Sequence, residues 1–136
     1  MSNIKIGNKC ETDVCTLLRN KHYYVYHVPM KNGGQPVDII AAKRDKDSQA
    51  TVYLIDAKHV REGNVSFPLS RVEPNQLSTM RFAREWAGLK NLGFAIKFDR
   101  DDSLRWLGYD KLLQLLKEEK KGINMEELDM FEKVLL

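Results

Sequence analysis

No stretch of this chain is long and apolar enough to cross a bilayer, and no apolar core of a signal peptide stands near the N-terminus. A membrane protein or an exported one is therefore not expected. Cysteine is scarce. Cys10 and Cys15 are the two in 136 residues, and neither their spacing nor that of His22, His27 and His59 makes a zinc pattern. Reduced thiols in an intracellular, cytoplasmic compartment are the expectation. The glycine pair Gly33-Gly34 lacks the lysine-bearing phosphate-loop pattern, so no nucleotide cofactor is indicated. Internal repeats and low-complexity segments are missing as well.

What is present is the composition of an ordinary globular protein, 43% hydrophobic and 30% charged, at a length that suits a single domain over 1–136. The net charge of +3 is unevenly spread: residues 1–100 hold 16 basic and 10 acidic side chains, residues 101–136 hold 6 and 9. A basic body with an acidic tail is compatible with nucleic-acid binding.

Periodicity predicts the elements. Cys10, Val14, Leu17 and Leu18 make one apolar stripe on a helix over 8–20, with Glu11 beside it. Strands are expected at 22–28, 36–42 and 51–58, the last two joined as an antiparallel hairpin by the charged loop between them. Pro74 opens a helix running to about Leu89, with Leu77, Met80, Ala83, Trp86 and Ala87 facing the core. Strands at 92–98 and 103–109 follow, then helices at about 110–120 and 125–135, the latter with Asn124 and Glu127 as N-cap and N3. The aromatics Tyr23, Tyr24 and Tyr26 read as core and strand-face residues. This order implies an α/β (α+β) fold with a central mixed sheet flanked by helices.

Two of these strands carry the chemistry. Pro36-Val37-Asp38-Ile39-Ile40 and Leu54-Ile55-Asp56-Ala57-Lys58 each set a carboxylate in an apolar run. Side chains alternate along a strand, so Asp56 and Lys58 share a face while Ala57 points away. Asp-x-Lys by itself is commonly a solvated strand edge. Here both acids stand in apolar surroundings, where a carboxylate is costly unless paired or metal-bound. If the two runs are neighbouring strands, two hard oxygen donors and a lysine converge. That set suits metal-assisted phosphodiester hydrolysis.

Glu11 on the first helix, Pro36-Val37-Asp38 and Asp56-Ala57-Lys58 together resemble the PD-(D/E)xK nuclease superfamily, whose restriction-endonuclease-like fold is a mixed sheet between helices. Gly7-Asn8-Lys9-Cys10-Glu11, Ala95-Ile96-Lys97-Phe98 and Leu104-Arg105-Trp106-Leu107 are similar to archaeal Holliday junction resolvases. Ser66-Phe67-Pro68-Leu69 and Asn75-Gln76 are similar to the RecU-type resolvases of Gram-positive bacteria. The likeness spans about 5–110, which would be the catalytic core, leaving C-terminal helices over 110–136. It implies that Glu11, Asp38, Asp56 and the backbone carbonyl of Ala57 hold Mg²⁺, with Mn²⁺ as a substitute. Lys58 would be the catalytic lysine, and Gln76 would lie near the site. It further implies cleavage of four-way DNA junctions by a homodimer, and the short chain suits a phage-encoded recombination enzyme. Lys9, Lys31, Arg61, Arg71, Arg81 and Arg84 are the candidates for contacts to the DNA backbone. The alternatives are a nuclease of the same fold acting on flap, single-stranded or duplex DNA, and a DNA-binding module without catalysis.

Overall fold

The computed structural model describes residues 3–29 and 37–135. Helix α1 (Asn3–Asn20) buries Cys10, Glu11, Val14, Cys15 and Leu18, which recur on one face. The chain leaves it through His22, whose φ of 66° turns it back, so β1 begins at Tyr24 rather than at His22. Strands β1 (Tyr24–His27), β2 (Ile39–Arg44) and β3 (Ala50–Val60) form an antiparallel meander. The short strand β4 (Ser66–Pro68) and a 3₁₀ turn at Leu69–Arg71 occupy the stretch that shows no period in the sequence. Helix α2 (Pro74–Ala87) then crosses over to β5 (Asn91–Phe98), which lies parallel to β3. Strand β6 (Ser103–Gly108) and helix α3 (Tyr109–Lys117) follow.

Among the described residues the main sheet has six strands in the order β1-β2-β3-β5-β6-β8, where β8 is Asp129–Met130. It is mixed, with the one parallel pairing between β3 and β5, and helices cover both faces. Alternation along β3 divides the core. Ile55 packs with α1 through Val14, Cys15 and Leu18, while Val60 joins Phe67, Met80, Phe94 and Phe98 on the other side. This two-sided burial makes β5 nearly continuous in apolar residues. Gly93 in β5 has a steric cause: a Cβ there would lie 2.5 Å from the Leu107 carbonyl and 2.7 Å from the Trp106 ring. Gly93→Ala is expected to cost about 2 kcal/mol. A urea titration giving an unchanged midpoint would contradict this packing.

The C-terminal segment differs from the single helix expected over 125–135. Asn124 and Glu127 do form a reciprocal capping box, but it closes only a 3₁₀ turn at Met125–Glu127. Strand β7 (Gly122–Asn124) precedes that turn and pairs with β4. Strand β8 (Asp129–Met130) then claims the edge of β6, and only Phe131–Leu135 is helical, as α4. The unpaired edge of β6 competes successfully for those backbone groups. Leu128, Phe131 and Leu135 still reach the core, so the apolar stripe is satisfied by another backbone path. The Tyr23 hydroxyl donates to the Leu135 carbonyl, fastening this end beneath α1.

Helix α2 also departs from its expected stripe. Leu77, Met80 and Ala83 face the core, but Trp86 is 81% exposed and stacks on Phe82 instead, and Ala87 is exposed too. The helix ends one residue later at Gly88, whose φ of 68° takes the left-handed cap. Tyr24 and Tyr26 stand exposed on β1, and of the three neighbouring tyrosines only Tyr23 is in the core.

Candidate active site

The β2–β3 register pairs Ile39 with Ile55, which sets Asp38 opposite Asp56. Each acid is held by a backbone amide of the opposite segment. The Asp38 amide donates to Asp56 Oδ1 at 3.1 Å, and the Ala57 amide donates to Asp38 Oδ2 at 2.8 Å. Asp56 is 1% exposed, and its Oδ2 has no hydrogen-bond partner among the described residues. Like charges set opposite one another in a sheet are unfavourable. Burial, reinforced by Asp38, pushes the Asp56 carboxyl up to about 7. An orphaned carboxylate oxygen facing a second carboxylate is what a divalent cation would satisfy, so this donor set fits one. Among the described residues no three His, Cys, Asp or Glu side chains are placed to hold a metal by themselves. The carboxylates that could hold one are those of Asp38 and Asp56, with Glu11 nearby.

Glu11 reaches the same neighbourhood from α1. Its carboxyl is raised by burial, against a hydrogen bond from His27 and with a further push from Asp38. His27 Nε2 lies 2.9 Å from Glu11 Oε1. Lys58 stands two residues beyond Asp56, and its Nζ donates to the Arg71 carbonyl at 3.1 Å. Burial lowers its pKa, opposed by Asp56 and Glu73. Cys10 Sγ donates to the Lys58 carbonyl at 3.3 Å, so α1 also touches the lysine's backbone. Burial, with Asp13 nearby, pushes this thiol up to about 12, which leaves it unreactive.

Lys58 opens onto a cleft of about 580 Å³ lined by Cys10, His59, Arg61, Asn64, Ser66 and Arg71 among others. Arg71 is held in place as it lines this wall. Its Nη1 donates to the His59 carbonyl at 2.5 Å, and its guanidinium lies over the Phe67 ring.

The remaining candidates were expected near the site or the DNA, and each described one has surroundings of its own. Gln76 is occupied at the N-terminus of α2, where its side-chain oxygen accepts from the Glu73 amide in a capping box. Lys9 is exposed on α1, and Arg81 pairs with Glu85 on the outer face of α2. Arg84 is a structural clamp. It donates to the Leu89 and Lys90 carbonyls and to Asp110, and it covers the Tyr109 ring. Lys31 lies outside the described residues. His27, Glu73, Asn64 and Ser66 were not singled out for this site from the sequence. His27 ends the strand before the first acid, so pairing β1 with β2 would have pointed to it.

The architecture is shared with solved structures of other proteins. A solved structure of Hjc, a Holliday junction resolvase from the hyperthermophilic archaeon Archaeoglobus fulgidus, superimposes with a TM-score of 0.62 at 20% identity, over 95% of this chain and 94% of that one. A nuclease from a fusellovirus superimposes with a TM-score of 0.54 at 16% identity, over 91% of this chain and 81% of that one. No family model matches the chain, and no curated protein matches its sequence. Among the described residues no helix is long and apolar enough to cross a membrane.

Proposed function

We propose that this chain is a divalent-metal-dependent DNA endonuclease that cuts four-way junctions, acting as a homodimer. The observation that carries the reading is the orphaned, buried Asp56 oxygen opposite Asp38, two residues from a lysine that opens onto a basic cleft. The likeness in fold to an archaeal resolvase supports the same substrate class. Asp38, Asp56 and the Ala57 carbonyl would hold Mg²⁺ or Mn²⁺, with Glu11 alongside. The ion would supply Lewis acidity toward the phosphate and a more acidic bound water.

The chain's own residues do the rest. Asp38 and Asp56 are preorganised by the two amides that bind them, so no reorganisation is needed when charge develops. Lys58 offers a cation beside the acids, stabilising the charge that builds on the phosphoryl oxygens. Arg61 and Arg71 extend the positive wall along the cleft, where a sugar-phosphate backbone can lie without base readout. Symmetric cutting of two strands calls for two copies related by a two-fold axis.

The test is cleavage of a labelled synthetic junction against a linear duplex of the same arms, with Mg²⁺ and with EDTA. Paired, symmetric, metal-dependent nicks confined to the junction are expected. Equal cutting of the duplex would make the chain a general nuclease. Tight junction binding with no cutting in either ion would make it a binding module. Arg61→Ala is expected to weaken junction binding irrespective of sequence and to lower the salt slope by about one. A binding curve insensitive to salt would contradict the backbone-contact role.

A further inference from the structure

The nuclease reading leaves His27 without a task, yet this side chain touches Glu11 directly. Glu11 is 9% exposed, and a carboxylate so far from water needs a partner. Its partner is His27 Nε2 at 2.9 Å. With the carboxylate ionised, the ring N–H donates and the carboxylate accepts.

The histidine is itself fixed by the sheet. It is the last residue of β1 and pairs with Ile39, next to the first acid. The following amide, Val28 N–H, donates to the Asp38 carbonyl at 2.9 Å. Two successive residues at this strand end therefore reach two acid-bearing segments: the His27 ring holds Glu11 of α1, and the Val28 amide holds the Asp38 backbone. Glutamate has three side-chain torsions to lose on ordering, which costs entropy. A bond formed before any ion arrives removes part of that cost from ion binding.

We infer that His27 is a positioning residue: it fixes the Glu11 carboxylate beside Asp38 and so sets the affinity of the carboxylate cluster for its divalent ion. The inference rests on the metal-dependent reading given above. His27 acts through Glu11, to which its Nε2 is engaged, and the variants below separate this role from that of a direct ligand.

Calorimetric titration of the full chain with Mn²⁺, without DNA, tests this. His27→Ala is expected to weaken binding about tenfold, the lower end of what partners of metal ligands contribute. His27→Gln, which keeps a donor on a side chain of similar reach, is expected to stay within about threefold of wild type by the same scale. In a Glu11→Ala background, His27→Ala is expected to change nothing further. His27→Leu, which preserves the side-chain bulk, is expected to match His27→Ala and guards against a fault of packing. Wild-type affinity in both His27→Ala and His27→Leu would overturn the role. So would a loss in His27→Gln as large as in His27→Ala, the mark of a direct ligand, or a loss that persists without Glu11. If wild type binds no Mn²⁺, the metal-dependent reading falls and takes this role with it. If wild type binds while the His27 variants are unaffected, only the role of His27 falls.

Discussion

Asp56→Asn is expected to lower junction cleavage by about a thousandfold or more, equivalent to about 4 kcal/mol of lost transition-state stabilisation. The amide keeps the shape of the side chain and an oxygen to accept from the Asp38 amide, but it removes the charge a cation would need. The same substitution is expected to stabilise the metal-free protein near neutral pH. The Asp56 carboxyl, at about 7 against its ordinary 3.8, lies raised in the folded state because burial and Asp38 disfavour its charge. The folded chain therefore binds the extra proton between those two values, and stability falls as pH rises through that window. The fall is about 4 kcal/mol at most. Glu11, raised by burial, adds a slope of the same sign. Melting in EDTA from about pH 4 to about pH 8 should show wild type losing stability while Asp56→Asn holds most of it. A variant less stable than wild type at the alkaline end would show that Asp56 is paired in the resting protein. Unimpaired cleavage would remove it from the site.

Lys58→Ala is the second large effect. Its ammonium is part-buried, donates to the Arg71 carbonyl and feels both Asp56 and Glu73. Truncation takes a cation away from the place where phosphoryl charge develops and leaves the two aspartates intact. Single-turnover cleavage is expected to fall about a hundredfold to a thousandfold, the range for removal of one preorganised stabilising group. Mn²⁺ affinity should hold or rise, since a like charge leaves the neighbourhood of the ion. Junction affinity should fall only by the share of one cation among several. That split, with chemistry lost and both bindings kept, separates Lys58 from Asp56. Cleavage within tenfold of wild type would make the lysine a surface charge.

The sheet that carries the acids was legible because its signals are local. Alternation and β-branched runs mark β2 and β3, and a short polar loop between them makes a hairpin, which brings Asp38 across from Asp56. The partnerships that complete the cluster are not local. Glu11 and His27 stand 16 residues apart, and Lys58 and the Arg71 carbonyl 13. Arg84 resembles any solvent-facing arginine in the sequence, and only the return of the chain through Leu89, Lys90 and Asp110 turns it into a clamp. Gln76 carried a second meaning three residues after Glu73, that of a capping-box residue, and the helix start uses it so. The 125–135 segment went astray for one reason. Helical spacing describes which residues can share a face, whereas tertiary competition decides where a helix stops.

The two amides that hold the aspartates come from the opposing strand, one in each direction. A hairpin slipped by two residues would keep the inside and outside faces of β2 and β3 and would satisfy their hydrophobic pattern. It would also separate Asp38 from Asp56 by a full pleat. Misregistered molecules would thus pass as folded by their cores and be wholly dead as catalysts, not sluggish. Specific activity in a preparation of this chain then counts molecules, and active-site titration against Mn²⁺ measures the fidelity with which one hairpin closed.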